Sequence, residues 1–288
     1  MVFGCRGQLG IELTAVLGER GYPVTGFDRS QVDISDIGQV EQAFAQENPE
    51  IVINAAAYNQ VDVAEKEPAA AMAANGLAVR NLAMSARQHD ARLVYFSTDY
   101  VFDGTLGRAY SEDDATHPLG AYAVSKLAGE LYAQAYLDHP LIIRTCGVFG
   151  PGGLKTARGN FVEVMLRLAA NRQPIRVLDD HVASPTYAPL LAARSVDMID
   201  RGLKGIFHAG GGQAISWFDY AAMIFRIAGL HPELKPTNER EFRTAARRPK
   251  YSALSNAKME HCGIEPFPPL ETTMKMYLEA RATMKAGG

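Results

Sequence analysis

The sequence predicts an α/β fold, in which helices flank a doubly wound parallel sheet and a smaller C-terminal α+β lobe follows. Short β-branched or apolar runs alternate with longer helical patterns as far as residue 145, which is typical of a parallel sheet covered on both faces. The runs are apolar almost throughout, as strands buried on both faces should be. Three glycines, at positions 4, 7 and 10, directly follow the first run.

The elements can be justified in chain order from these patterns. After a first strand at the N-terminus, period and composition predict strands at 22–28, 50–57, 92–99 and 140–145, separated by helices at 36–49, 69–89 and 121–137. Beyond residue 145 the pattern becomes less regular. A glycine-rich, mobile loop is expected at 147–160, followed by helices at 161–171, about 186–199, 216–229 and 271–284 and strands at 174–180 and 205–211. Ser216 is the expected N-cap of its helix.

Composition narrows the class of protein. The 288 residues carry a formal charge of −3, which gives no electrostatic reason to expect a nucleic acid or an anionic membrane as partner. No apolar stretch reaches the length of a membrane span, and no signal peptide precedes the glycines. Three widely spaced cysteines favour free thiols in a reducing compartment. We therefore expect a cytoplasmic protein without a metal site.

The glycine loop predicts a dinucleotide-binding start. Gly4, Gly7 and Gly10 have the spacing that permits a tight turn, close approach of the backbone to a pyrophosphate, and close helix packing. The following helix N-terminus offers its positive dipole end. The sheet is therefore expected to be Rossmann-like. Only three residues precede the loop, so we expect a shortened first strand, at some cost in stability and cofactor affinity.

Asp28 supports this interpretation but leaves the choice of cofactor open. It ends the second strand, 18 residues past Gly10, near the offset expected for a carboxylate that binds the adenine ribose. Arg29 and Arg6 could instead hold the 2′-phosphate of NADP. The expected cofactor is NADPH or NADH. A solvated turn at Asp28-Arg29 is the alternative.

Two further motifs carry candidate chemistry. The segment "STDYVFDG", Ser97 to Gly104, lies at the end of a parallel strand, where polar side chains face the ligand crevice. In "YAVSK", Tyr122 and Lys126 are four residues apart and share one helix face. A neighbouring ammonium lowers the pKa of a tyrosine, which can then exchange a proton with a carbonyl oxygen. Thr98, 24 residues before Tyr122, makes the combination more specific.

These motifs together resemble those of the extended short-chain dehydrogenase/reductases. The resemblance covers almost the whole chain and rests on "GCRGQLG", "INAAAYNQVDVAEKEP", "FSTDYVFDG", "PLGAYAVSKLAGE", "SPTYAPLLA", "GIFHAGG" and "RRPKYSALSNAKM". It implies a dinucleotide-binding domain at 1–145, which also receives elements from about 184–208. It further implies a substrate-binding lobe formed by 146–183 and 209–288.

The resemblance also implies roles for individual residues. Thr98 would hydrogen-bond the substrate carbonyl, Tyr122 would donate the proton, and Lys126 would hold the nicotinamide ribose and tune Tyr122. The implied cofactor-binding residues are Gly4, Arg6, Gly7, Gln8, Leu9, Gly10, Asp28, Arg29, Ala55, Ala56, Ala57, Tyr58, Asn75 and Lys126. The implied substrate-binding residues are Thr98, Asp99, Val101, Tyr122 and Arg248. For Asn75, a helix-surface amide is nearly as good an interpretation. Arg247 is an alternative to Arg248 for the diphosphate.

The implied activity is NAD(P)H-dependent reduction of the 4-keto group of a dTDP-linked 4-keto-6-deoxy sugar, by a protein that could form a homodimer. Cys146 and Gly147 stand where the reductases resembled here usually have Ser-Trp, which leaves the exact sugar open. Two alternatives remain. One is another nucleotide-sugar epimerase or dehydratase of the same superfamily, and the other is a non-catalytic regulatory subunit that keeps the fold.

Overall fold

A computed structural model describes residues 1–157, 159–171, 174–241 and 243–286. The strands in these ranges are β1 (Val2–Phe3), β2 (Gly26–Phe27), β3 (Ile51–Asn54), β4 (Arg92–Thr98), β5 (Leu141–Thr145), β6 (Ile175–Leu178), β7 (Val182–Ala183), β8 (Gly205–His208), β9 (Ile215–Ser216) and β10 (Leu234–Thr237). The α-helices are α1 (Gln8–Glu19), α2 (Ile37–Glu47), α3 (Val61–Ala64), α4 (Pro68–Met72), α5 (Ala78–Gln88), α6 (Ala121–Tyr136), α7 (Phe161–Ala170), α8 (Ala188–Asp200), α9 (Trp217–Ala228), α10 (Ala257–His261) and α11 (Leu270–Ala286).

Six parallel strands form the central sheet, in the order β2-β1-β3-β4-β5-β8. The chain moves outward from β1 to β2 and then crosses to the other side of β1 to begin β3. This reversal opens a crevice at the carboxyl ends of β1 and β3, where ligands of doubly wound sheets bind. The predicted Rossmann-like α/β class is confirmed.

The two strands at this reversal are short. In β1, Val2 pairs with Gly26 on one side and Ile53 on the other, and both its residues are buried. The second strand covers only two of the residues predicted at 22–28. Pro23 lies in the remainder, and a proline has no N–H to donate to a strand ladder.

The predicted helix at 69–89 has a different form. It is made of α4, a π-helical turn at Ala73–Leu77, and α5. A π-turn adds a residue to the helical turn and often marks a functional position. Here it carries Asn75 inward against α6. Gly76 lies so close to that helix that a Cβ there would be 3.3 Å from the Ala128 side chain.

The C-terminal region surrounds a hydrophobic core of its own, separate from the two buried clusters that pack on the main sheet. The buried side chains come mainly from α7, α9 and α11 and include Phe149, Val162, Met165, Tyr220, Ile224, Phe225, Met274 and Tyr277. Two small sheets border it, one joining β6 to β10 in parallel and one joining β7 to β9 antiparallel. Ser216 caps α9 as predicted, because its hydroxyl accepts a hydrogen bond from the Asp219 N–H.

β8 returns to the main sheet and pairs with β5. The division into two domains at the stated bounds stays a prediction. Within the described ranges, no helix is both long enough and apolar enough to span a membrane.

Candidate functional site

The glycine loop closes tightly at the carboxyl end of β1. Gly4 has a φ of +77°, and a Cβ there would lie 2.6 Å from the Ala56 nitrogen. A Cβ at Gly10 would lie 2.0 Å from the Gly4 carbonyl oxygen, and the Gly7 N–H donates to the same oxygen at 2.9 Å. Gly7 is the N-cap of α1 and supplies no side-chain cap. The loop and the helix N-terminus therefore form a backbone cradle that suits a phosphate.

The side chains of Gln8 and Leu9, in the first turn of α1, point away from the cradle into contacts with the protein, and their role toward a cofactor stays a prediction. The Gln8 amide donates to the Val148 carbonyl at 2.8 Å and accepts from Asn160 at 3.0 Å, and Leu9 packs against the main core. These contacts tie α1 to the segment predicted as a mobile loop, which contains a short 3-10 helix at Pro151–Lys155; its mobility stays a prediction. Arg158, in the same segment, lies outside the described residues.

Asp28 lies beside the cradle and is already paired. Arg6 Nε is 2.8 Å from Asp28 Oδ2, while the Ser30 N–H and hydroxyl donate to Oδ1 at 2.8 and 2.6 Å. The hydrogen bonds from Ser30, together with Arg6, lower the pKa of Asp28. Arg29 faces Asp33 at 3.2 Å. The site thus offers both a carboxylate and an exposed guanidinium, so its geometry is compatible with either NAD or NADP.

Asn75 is buried and links three segments. Its side chain accepts from the Tyr58 N–H and donates to the Tyr58 carbonyl, both at 2.8 Å, and also donates to the Ser125 hydroxyl at 3.0 Å. With 1% of its surface exposed, it is not a helix-surface amide. It fixes the segment that follows Ala55–Ala57 against α6. Its role toward a cofactor stays a prediction.

Asn54, the last residue of β3, was not predicted from the sequence. Its Oδ1 accepts from the Ala56 N–H at 3.0 Å, but its buried Nδ2 has no hydrogen-bond partner among the described residues. A buried, unpaired donor is costly. Its place beside the cradle fits a ligand that would supply the missing acceptor.

Thr98, Tyr122 and Lys126 lie at the carboxyl end of β4 and the first turns of α6. Thr98 lies close enough to Tyr122 that its hydroxyl lowers the pKa of that phenol, but burial is the larger effect and raises it to about 12. Lys126 Nζ donates to the Phe96 carbonyl at 2.6 Å and lies 4.4 Å from the centroid of the Tyr95 ring. Burial lowers the pKa of Lys126 to about 7, against an opposing effect of Glu130.

Burial rather than Lys126 determines the pKa of Tyr122 in this structure, and tuning of the phenol by Lys126 stays a prediction. The sequence predicts that the ammonium lowers the pKa of the phenol, whereas the pKa of Tyr122 is raised. The physical reason is that the ammonium is directed to the β4 carbonyl while the phenol is desolvated.

Asp99 and Val101 follow Thr98 but lie below the surface. Val101 is fully buried in a cluster with Phe102, Tyr110, Cys146, Ala183 and Leu254. Asp99 is 2% exposed and contacts Thr98 and Cys146. Neither side chain is open to a ligand in this structure, and their assignment to the substrate stays a prediction.

Arg248 links its own segment near the C-terminal region to α3. Its Nη2 lies 2.6 Å from Asp62 Oδ2 on α3, and its Nη1 donates to the Ala246 carbonyl at 3.1 Å. Arg247 beside it is exposed. A cleft of about 300 Å³ opens at this segment and is lined by Glu239, Arg240, Arg243, Thr244, Ala246 and Arg247.

A buried ion pair behind the catalytic candidates was also missed. Arg144 donates to both oxygens of Glu130, at 3.0 and 2.7 Å, and both side chains are almost fully buried. Ser97 donates to the same carboxylate, and Arg144 lies 3.4 Å from the ring of His208. Burial, and then Arg144, lowers the pKa of His208 to about 3, so this ring is neutral. The available signal was Arg144, a charged residue in a strand whose residues are all buried.

Gly147, which stands where the reductases resembled here usually have a tryptophan, lies beside a tryptophan from another element. Gly147 has a φ of +47°, and a Cβ there would lie 3.4 Å from the ring of Trp217, the first residue of α9. The only tryptophan of the chain therefore lies against the backbone that follows β5. It packs on Phe161, with ring centroids 4.7 Å apart.

Comparison with known proteins agrees with this geometry. A dTDP-4-dehydrorhamnose reductase of Streptomyces griseus is 39% identical over 273 residues, covering 92% of this chain and 88% of the relative. The crystal structure of a dTDP-4-dehydrorhamnose reductase from Clostridium acetobutylicum superposes with a TM-score of 0.93 at 33% identity, covering 98% of each chain. A second crystal structure, of a dTDP-4-dehydrorhamnose reductase from Bacillus anthracis str. Ames in complex with NADP, superposes with a TM-score of 0.91 at 35% identity, covering 96% of this chain and 97% of that one. The family described as RmlD substrate binding domain matches residues 1–283, and the chain belongs to this family.

Proposed function

We propose that this protein is an NAD(P)H-dependent oxidoreductase that reduces the 4-keto group of a dTDP-linked 4-keto-6-deoxy sugar, as a dTDP-4-dehydrorhamnose reductase. The observation that carries the proposal is the grouping of Thr98, Tyr122 and Lys126 at the carboxyl end of β4, on the side of the parallel sheet where the glycine cradle follows β1. The match of relatives with this activity along almost the whole chain supports it.

The residues present fit a nicotinamide dinucleotide. Gly4, Gly7 and Gly10 would hold the pyrophosphate, because side chains there would fill the cradle. Asp28 would bind the adenine ribose, Arg6 would face a 2′-phosphate, and the unpaired Asn54 amide would donate to the cofactor. When bound, the reduced cofactor supplies the hydride that a carbonyl carbon accepts.

The proton comes from the protein. With a pKa raised to about 12, Tyr122 keeps its proton throughout the neutral range and can donate it to the keto oxygen as that atom becomes a hydroxyl. Thr98 would bind the same oxygen. Lys126 would hold the nicotinamide ribose, and it carries its charge below its pKa of about 7.

The nucleotide-sugar diphosphate requires cations at the mouth of the site. Arg248 is engaged by Asp62, so the exposed Arg247 and Arg243 of the neighbouring cleft are the better candidates. Their guanidinium groups suit phosphate oxygens. The proposal further assigns the enzyme to the cytoplasm, where its cysteines stay reduced, and allows a homodimer that light scattering would detect.

The direct test mixes the purified protein with NADPH or NADH and dTDP-4-dehydrorhamnose and follows the absorbance of the reduced cofactor. Stoichiometric oxidation that depends on the sugar supports the proposal. Tightly bound NAD that is never consumed would instead indicate an epimerase or dehydratase. Absence of turnover with any nucleotide sugar, together with a stoichiometric protein partner, would indicate a regulatory subunit.

A further inference from the structure

The hydroxyl of Thr98 has one proton to donate and lies close to both the Asp99 carboxylate and the Tyr122 phenol. Thr98 Oγ1 donates to Asp99 Oδ1 at 3.2 Å and accepts from the Tyr100 N–H at 3.2 Å. A hydroxyl offers one donor and two acceptor positions. An ionised carboxylate is a stronger acceptor than a neutral phenol or a keto oxygen, so while Asp99 is ionised the Thr98 proton is directed to Asp99 and away from a substrate carbonyl.

Asp99 is held in this orientation from its other side. Its Oδ2 accepts a hydrogen bond from the Cys146 thiol at 3.0 Å, and Ser252 also hydrogen-bonds the carboxylate. The Cys146 sulfur in turn accepts from the Ser184 N–H at 3.4 Å. A chain of buried contacts thus runs from the C-terminal region through Cys146 and Asp99 to Thr98.

We propose that Asp99 is a positioning residue that sets the direction of the Thr98 hydroxyl, and that only protonated Asp99 releases this hydroxyl toward the substrate carbonyl. Protonated Asp99 donates to Thr98 Oγ1, whose two acceptor positions are then filled by Asp99 and the Tyr100 N–H. The Thr98 proton is free for the keto oxygen. This inference rests on the proposed function.

The surroundings of Asp99 raise its pKa into the range in which enzymes are assayed. Burial raises the pKa of Asp99 to about 6, although the hydrogen bonds from Ser252, Cys146 and Thr98 oppose the shift. The described titratable groups that face it are Tyr100 beside it, Tyr122 on α6 and Cys146 after β5. Burial raises the pKa of all three, so they stay neutral while Asp99 titrates.

The test measures binding rather than turnover. Calorimetry in the presence of NADP⁺ gives the affinities of a dTDP-4-keto-6-deoxy sugar and of its 4-hydroxy product between about pH 5 and 8. For the wild type, the ratio of keto to hydroxy affinity should rise about fivefold as the pH falls through about 6, which corresponds to one additional neutral hydrogen bond. The ratio cancels effects on the nucleotide and on Lys126 that both ligands share.

Three variants isolate Asp99. Asp99→Asn, whose amide can donate to Thr98 at any pH, should give the high ratio throughout. Cys146→Ala removes a donor to the carboxylate and should move the midpoint to higher pH, whereas Cys146→Ser should restore it. Cys262→Ala, at a half-buried cysteine outside the site, is the matched control and should follow the wild type.

The outcomes separate the two proposals. A wild-type ratio that does not change with pH, or an Asp99→Asn protein that keeps the wild-type pH dependence, overturns the inference alone. If Asp99→Asn does not fold, equal midpoints for Cys146→Ala and Cys146→Ser overturn it. Failure of every dTDP-sugar to bind the wild type overturns the proposed function and this inference with it.

Discussion

Two parts of the sheet's carboxyl side form the candidate site by different physical means, and we call the part at β1 the first edge and the part at β4 and β5 the second edge. At the carboxyl end of β1, the cradle is made of backbone, and what defines it is the absence of side chains at Gly4 and Gly10. At the carboxyl ends of β4 and β5, the site rests on buried polar side chains that bind one another, including Thr98, Asp99 and Arg144.

This difference determines how each edge tolerates change. The cradle depends on close contact between backbone segments, such as Gly10 and the Gly4 carbonyl, so even one methyl group there can disrupt it. Substitutions that leave these contacts intact should be tolerated. The second edge depends on charges and hydrogen bonds in a poorly solvated interior, where removing one partner leaves the other unsatisfied. Each prediction below tests one side of this contrast.

The largest expected effect is on catalysis at the second edge. Tyr122→Phe removes the proposed proton donor and keeps the ring that packs edge-on against Tyr100. We expect kcat to fall by about 10²–10⁴-fold, the usual contribution of a general acid, with little change in cofactor affinity. Steady-state kinetics and a cofactor titration measure both. Tyr132→Phe, nearer the C-terminus of the same helix, is the control and should retain activity. Full turnover by Tyr122→Phe would contradict the donor role.

The next effect is on stability. Arg144→Met leaves the Glu130 carboxylate buried without its cation, and the free energy of unfolding should fall by about 3–5 kcal/mol. Arg108→Met is a matched control, because Arg108 also bonds both oxygens of a carboxylate, in Asp114, but is 56% exposed. Its loss should cost about 0–1 kcal/mol. Denaturant unfolding compares the two, and equal losses would argue against the importance of burial.

The same contrast explains what could be predicted from the sequence. The cradle lies within ten consecutive residues, and Tyr122 and Lys126 are one helical turn apart, so spacing alone indicates them. The strand order and the meeting of Thr98 with Tyr122 follow from general rules for parallel sheets. The pairing of Glu130 with Arg144, and of Asp99 with Cys146, joins segments distant in the chain, and no local pattern specifies it.

The shifted pKa values were not predictable for a related reason. The spacing of Tyr122 and Lys126 suggests a mutual effect, but the sign depends on desolvation and on the Phe96 carbonyl that takes the ammonium. The π-turn at Asn75 was not predictable either, because Asn75 and Gly76 only weaken a helical pattern, whereas the turn itself depends on close contact with α6. The strand β10 was missed because Lys235 and Pro236 give it no apolar pattern.

Two alanine substitutions on α1 test the cradle. Gly10→Ala places a Cβ within 2.0 Å of the Gly4 carbonyl, so the loop must shift. We expect a loss of about 1–3 kcal/mol in unfolding free energy and a marked loss of NADP⁺ affinity. Gly18→Ala has open space around it on the same helix and should stabilise the protein by about 0.4–1 kcal/mol. Thermal melts with and without NADP⁺ distinguish them. A Gly10→Ala protein that binds the cofactor normally would show that the cradle does not need this close approach.

The last prediction, at most about 1.4 kcal/mol for each pH unit, concerns the charge on Lys126. Its pKa is lowered from 10.5 to about 7 by burial, so between these values the unfolded chain binds more protons than the folded one. Stability contributed by this group therefore rises with pH across that window, by up to about 1.4 kcal/mol per unit.

Lys126→Met should lack the rise, so the difference in unfolding free energy between wild type and variant should grow in favour of the wild type from about pH 7 to 10. Lys250→Met, at a lysine that is 59% exposed, should keep the wild-type slope. A pH-independent difference for Lys126→Met would mean that the ammonium is solvated in the folded protein, and the electrostatic contrast between the two edges would then be smaller than the geometry indicates.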